Sequence, residues 1–204
     1  MRLGLLGGTF DPIHNAHLFI AEATRVALEL DRVLFLPTGG GHYRLPPEAS
    51  LEARLEMLRL ALAPNPHFAL DPTDFDERAT GYTADLLPRM RARFPDDRLV
   101  FIAGSDSLVE SPWQRLDEVL AQLDAFALAP RAGRPRAQID AFLGSLPPEQ
   151  QAKILVLDLP PLAESATYVR DQMARGGSIR YLVPEPVARY IAEHGIYAAD
   201  RDRS

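Results

Sequence analysis

The chain has 204 residues, 47% of them hydrophobic, a formal net charge of −6 and no cysteine. Its length and apolar content suit one domain with a sizeable core. The acidic balance argues against a general nucleic-acid or membrane-surface binder, and the missing thiols exclude disulfides, thiolate catalysis and Cys-ligated zinc or iron–sulfur sites. No apolar run approaches the ~18 residues of a membrane span, and no charged-then-apolar leader precedes the opening strand. The expected protein is soluble and cytoplasmic.

Arg2 to Leu6 reads as a first strand. The string Gly7-Gly8-Thr9-Phe10-Asp11-Pro12-Ile13-His14-Asn15-Ala16-His17 follows, then a helical pattern from about Leu18 to Leu30. Arg32 to Leu36 is a second strand, closed by Pro37 and Thr38-Gly39-Gly40-Gly41. Leu51, Leu55, Leu58 and Leu62 mark one face of an amphipathic helix. Phe68 to Leu70 reads as a short strand, Tyr82 to Phe94 as a helix, and Arg98 to Ala103 as a strongly apolar strand ending at Gly104. A helical stretch runs from Ser111-Pro112-Trp113 to about Leu123, and Asp124 to Ala129 is a strand. After a proline-broken loop, a short helix is expected over Gln138 to Leu143 and a strand over Lys153 to Leu159. Two helices close the chain, near Ala166 to Ala174 and Pro184 to His194, before a frayed tail from Ala198.

Strands separated by helices of ten to fifteen residues imply βαβ units. Strands apolar throughout belong to a sheet covered on both faces. The expected fold is α/β: a Rossmann-like, doubly wound, mainly parallel sheet with helices on both faces. A single domain is expected over 1–204, with a C-terminal helical part at about 165–197.

The corner after the first strand is where open α/β sheets bind ligands. Gly7 and Gly8 let the backbone approach a ligand closely. The following helix start offers unpaired N–H groups and a partial positive charge, which suit phosphate. His14 and His17, two of only five histidines, share a face of the first turn. Read bottom-up, this is a donor-rich cradle for a polyphosphate, with an ordinary tight turn as the alternative. It is neither a Walker A loop nor a dinucleotide fingerprint.

Four more segments fall at expected strand ends. Pro37 to Arg44 combines glycine-rich backbone with an arginine suited to phosphate, or is a plain surface loop. Tyr82 and Thr83 open a helix and could bind a small carboxylate or amide, with N-capping by Thr80 and packing of Tyr82 as the alternative. Gly104 and Asp106, within Ile102 to Leu108, suit a nucleotide's approach and its ribose hydroxyls, or form a glycine turn with Ser105 or Asp106 as an N-cap. Trp113, the only tryptophan, either stacks on a heterocycle or belongs to the core. Ser165, Thr167 and Arg170 make a second helix-start phosphate site, or a Ser-capped helix with a surface arginine. The closing segment Ile179 to Tyr197 reads as structural, a proline-started helix with a glycine stop. Lys153, the sole lysine, reads as a strand-edge residue.

The motif G-G-T-F-D-P-x-H-x-x-H resembles the signature of nucleotidyltransferases that carry H-x-G-H. Gly81-Tyr82-Thr83, Gly104-Ser105-Asp106-Ser107-Leu108, Ser165-x-Thr167-x-x-Arg170 and the closing L-V-P-x-x-V-x-x-Y-I-x-x-x-G-I-Y follow in order. Together they are similar, over nearly the whole chain, to the nicotinate-nucleotide adenylyltransferase family of bacterial NAD biosynthesis. The chain departs from that pattern at Ala16, usually Gly, at Ala166, usually Ser, and at Gly41-His42-Tyr43-Arg44, usually Pro-Pro-His-Lys/Arg.

The resemblance implies transfer of the adenylyl group of ATP to nicotinate mononucleotide, giving deamido-NAD and pyrophosphate. It implies His14, His17 and Arg170 as catalytic residues. Gly7, Gly8, Thr9, Phe10, Gly104, Asp106, Ser165 and Thr167 would bind ATP. Arg44, Tyr82, Thr83 and Trp113 would bind the mononucleotide. Mg²⁺ is expected on the triphosphate, held by phosphate and water with no protein ligand. No nucleic acid or membrane partner is implied, and a homodimer stays open. The alternatives are an enzyme using nicotinamide mononucleotide or both mononucleotides, then a phosphopantetheine adenylyltransferase, then a non-catalytic nucleotide-binding module.

Overall fold

The computed structural model describes residues 1–39, 46–75, 79–105, 107, 113–130, 135–160 and 162–198. Six strands form one sheet: β1 (Arg2–Gly8), β2 (Arg32–Pro37), β3 (Phe68–Leu70), β4 (Arg98–Gly104), β5 (Ala125–Ala129) and β6 (Ile154–Val156). Their order is β3-β2-β1-β4-β5-β6, and every pairing is parallel.

Side chains alternate across this sheet, as the two-residue period of a strand requires. Leu6, Val33, Phe35, Val100, Ile102 and Ala127 enter one core. Leu3, Leu5, Leu34, Leu36, Leu99 and Phe101 enter the other. The first core is covered by α1 (Asn15–Ala27), α2 (Leu51–Leu62), α7 (Ala166–Ala174) and α8 (Glu185–Glu193). The second is covered by α3 (Thr83–Arg93), α4 (Leu116–Gln122) and α5 (Arg136–Gly144); the short α6 (Pro148–Gln151) precedes β6. The doubly wound α/β reading therefore holds. Among the described residues no helix is long and apolar enough to cross a membrane.

Several element boundaries differ from expectation, each for a local reason. The first helix begins at Asn15 rather than Leu18, because His14 adopts the extended N-cap conformation and its N–H donates to the His17 ring. The buried face of α2 is turned from the leucine stripe: Arg54, Met57, Leu58, Ala61 and Leu62 are buried, whereas Leu51 and Leu55 are only half-buried. The helix expected from residue 111 starts at Leu116 among the described residues, since Arg115 sits at φ 60°, a left-handed conformation that cannot extend an α-helix backwards. The last strand stops at Val156, not Leu159. Thr80 is not the cap of α3; Tyr82 holds that position. Lys153 is a structural residue, its ammonium donating to the carbonyls of Leu120 and Leu123 at the end of α4.

An ion pair anchors the end of β3. Asp71, 5% exposed, accepts hydrogen bonds from Arg93 and from Thr73. Burial alone would raise its carboxyl pKa, but those bonds outweigh it and hold the group below the usual carboxylate range. Such a pair stabilises the fold above the unfolded pKa, about 3.9, and loses that contribution as pH falls through the folded value. Arg93→Ala should therefore destabilise the chain by roughly 1–3 kcal/mol at pH 7. In denaturant titrations the gap to wild type should close below about pH 4; a gap that widens in acid would contradict this assignment.

Candidate active site

The chain winds outward from β1 to β2 and β3, then returns to β4 on the other side of β1. The crevice outside the carboxyl ends of β1 and β4 is thus the switch point where open α/β sheets place ligands. Gly8 pairs with Pro37 at the end of β1, and Gly104 pairs with Ala129 at the end of β4.

Gly7 and Gly8 end β1, two residues beyond the expected Leu6, and Thr9 and Phe10 open the turn that leaves it. A Cβ on Gly8 would meet the Phe10 ring at 3.1 Å, so any larger residue there would require that ring to shift. Phe10 holds φ 49° and is buried, its ring tilted on Phe35 and edge-on to His17. Strained residues of this kind cluster at ligand sites. The Asp11–Pro12 bond is cis.

His14 and His17 come together as their spacing predicts. Their rings stack with centroids 3.7 Å apart. His14 lies beneath, 2% exposed, and His17 is half-buried above it. The His14 N–H donates to Nδ1 of His17 at 3.2 Å. With Nδ1 accepting, a neutral His17 carries its proton on Nε2, which is then a donor. Ala16, between the two histidines, is buried within α1.

Arg170 reaches the same corner from α7. Its Nε donates to Glu48 at 2.6 Å and its terminal nitrogen to the carbonyl of Asp11 at 2.8 Å. Ser165 caps α7, accepting the N–H of Tyr168, which leaves its own O–H to donate; Thr167 is exposed within the same first turn.

Tyr82, Thr83 and Trp113 lie on the other face of the sheet. Tyr82 is the N-cap of α3, with Gly81 before it at φ 77° and Thr83 opening the helix. Thr80 and Arg115 both hydrogen-bond Asp85, which ties the start of α3 to the start of α4. Those two bonds keep the Asp85 carboxyl below its usual range. Trp113 packs edge-on against Phe101 and Phe126, and its indole N–H donates to the carbonyl of Ser107 at 2.8 Å. Arg44 and Asp106 lie outside the described residues.

The structure also brings in residues that sequence reading did not single out. The Asp11 carboxylate, 5% exposed, accepts from the N–H groups of Glu48 and Ala49 and from the hydroxyl of Tyr197. Burial, and then that bond to Asp11, holds the Tyr197 phenol far above its ordinary pKa, so it donates across the physiological range. The closing segment is therefore more than a structural stop: Gly195 at φ 62° turns the chain after α8 and delivers Tyr197 to the back of the glycine corner. Arg54, 1% exposed on α2, donates to the carbonyls of Thr9 and Thr38. Among the described residues no three carboxylate or imidazole groups converge as a metal cage would require.

A parallel sheet with a glycine corner, paired imidazoles and an arginine at its switch point suits a nucleotide's phosphates, and its relatives make the chain a nucleotidyltransferase. Residues 5–170 match the cytidylyltransferase-like family model. A protein of Thermomicrobium roseum named "Probable nicotinate-nucleotide adenylyltransferase" is 39% identical over 198 residues, covering 96% of this chain and 91% of that relative. One of the same name from Exiguobacterium sibiricum is 38% identical, covering 97% of this chain and all of its own length. The solved nicotinic acid mononucleotide adenylyltransferase of Plasmodium falciparum, complexed with NaAD, aligns with a TM-score of 0.79 over 96% of this chain and 97% of its own; at 17% identity that likeness is one of fold. The chain belongs to the nicotinate-nucleotide adenylyltransferase family.

Proposed function

We propose that the chain joins ATP to nicotinate mononucleotide, forming deamido-NAD and releasing pyrophosphate. A 5′-phosphate oxygen of the mononucleotide attacks the α-phosphorus of ATP, and the bond from that phosphorus to the pyrophosphate oxygen breaks. The nucleophile is already an anion, so the protein needs no nucleophile or strong base of its own. Its work is positioning and charge stabilisation.

The observation that carries this reading is the split of the site across the sheet edge. His14, His17 and Arg170 stand on the side of the first core, and Tyr82, Thr83 and Trp113 on the other, with Gly8 and Gly104 between them. Two ligands meeting over the central strands would each have their own recognition groups. His17 Nε2 and His14 would donate to the triphosphate, and Gly7, Gly8, Thr9 and Phe10 would line it with backbone. Arg170 would exchange its exposed partner Glu48 for the β- and γ-phosphates, joined by Ser165 and Thr167. Gly104 and Asp106 would meet the adenosine. Tyr82 and Thr83, at a helix start, would receive the nicotinate carboxylate, Trp113 its ring and Arg44 its phosphate. ATP arrives as its Mg²⁺ complex, with the ion carried on phosphate oxygens as part of the substrate. These phosphorylated substrates belong to the cytoplasm, and we assign the chain there.

The test offers ATP with nicotinate mononucleotide, nicotinamide mononucleotide or phosphopantetheine and follows pyrophosphate. The acid should be used at least ~10-fold better than the amide, the scale of one lost hydrogen bond to a charged group. Equal use of the amide would refute the Tyr82–Thr83 carboxylate site, and silence with all three would leave a non-catalytic nucleotide-binding module.

A further inference from the structure

Arg54 has the largest fully buried side chain among the described residues. It stands where an apolar residue would serve α2 better, on the same stripe as Met57, Leu58, Ala61 and Leu62. Burying a guanidinium is costly unless its surroundings answer the charge. Here burial lowers its pKa, the field of Asp11 opposes that, and among the described residues Nε has no hydrogen-bond partner. The fold tolerates this cation for what one of its nitrogens does: it donates to the Thr9 carbonyl at 2.7 Å and to the Thr38 carbonyl at 2.9 Å.

Those two carbonyls lie just past the last registered pair of β1 and β2, Gly8 with Pro37. Thr38 still donates its N–H to the Gly8 carbonyl. Beyond that point Arg54 takes over, holding together two carbonyl dipoles that would otherwise drift apart. One belongs to the turn assigned to the triphosphate. The other closes the strand that leads to the arginine assigned to the mononucleotide phosphate.

We propose that Arg54 is a positioning residue for adenylyl transfer, fixing the spacing between the turn at Thr9 and the strand end at Thr38 so that the two substrates meet in line. The inference rests on the proposed function. In-line displacement is sensitive to displacements of about 1 Å, which can cost on the order of 10²-fold in rate. Arg54 bonds backbone carbonyls and is not among the groups assigned to either substrate, so its loss should fall on kcat more than on KM.

The experiment compares wild type, Arg54→Met and Arg54→Lys in pyrophosphate release. Folded sites are counted by calorimetric titration with a non-hydrolysable ATP analogue. For Arg54→Met, kcat per binding site should fall at least ~10-fold, while both KM values stay within about threefold. Arg54→Lys keeps the charge but lacks the rigid planar fork, and its kcat should lie between the two. Should Arg54→Met fail to fold, Arg54→Lys decides alone. Wild-type kcat per site in the foldable variants, or a loss carried wholly by KM, overturns the inference. A wild-type chain that releases no pyrophosphate overturns the proposed function instead.

Discussion

His17→Ala should lower kcat/KM by a factor on the order of 10² to 10³, the cost of removing one preorganised donor from a site of developing negative charge. The geometry says why the loss is catalytic. Nδ1 of His17 is engaged by the His14 N–H, which in the neutral ring sets the proton on Nε2 and makes that nitrogen the donor. Stacking on His14 and the edge contact with Phe10 hold that ring in place before any ligand arrives. Alanine removes the donor and the capping acceptor together. The cap is worth only about 1 kcal/mol, so Tm should fall by a few degrees at most. His17→Gln restores an amide donor without the ring, and should recover part of the rate. Steady-state pyrophosphate release, paired with thermal unfolding, separates the two effects. Activity within about fivefold of wild type in the alanine variant would remove His17 from the triphosphate site, since even one such donor is worth far more.

What the sequence disclosed, and what it concealed, follows range. Strands buried on both faces show themselves locally, as in Val33 to Leu36, because every residue is apolar. The string from Gly7 to His17 is equally local, and its two histidines meet as their spacing requires. Helix starts were less visible. His14 is an uncommon N-cap, so nothing in the usual cap alphabet marked Asn15 as the first residue of α1. Arg54 shares the i, i+4, i+7 face of Leu58 and Ala61, a signal present in the spacing but masked by the expectation that arginine faces water. Tyr197 and Asp11 are 186 residues apart, and no local pattern announces their bond. The docking of the closing segment brings them together: Asn15 donates from its backbone to Leu182 and from its side chain to Tyr181, and α8 packs on α2.

That long-range bond supports the last expectation. Asp11→Ala should destabilise the chain by about 3–5 kcal/mol, a large share of a typical domain's 5–15 kcal/mol. Its carboxylate answers three donors at once, the N–H groups of Glu48 and Ala49 and the Tyr197 hydroxyl, in a setting 5% exposed. Each buried donor left without an acceptor costs about 1–3 kcal/mol, and partial relaxation keeps the total below the simple sum. Arg54 would also lose a counter-charge that favours its protonated form. Tyr197→Phe removes one donor and leaves the carboxylate its two backbone partners, so it should cost only about 1 kcal/mol. Asp11→Asn keeps one acceptor oxygen but turns an N–H₂ group toward donors, and should fall between. Urea titrations of the three variants test the order. If Asp11→Ala unfolds within about 1 kcal/mol of wild type, less than one typical buried donor is worth, then this carboxylate does not organise the glycine corner. The closing segment would then have to be held to the site by its apolar contacts alone.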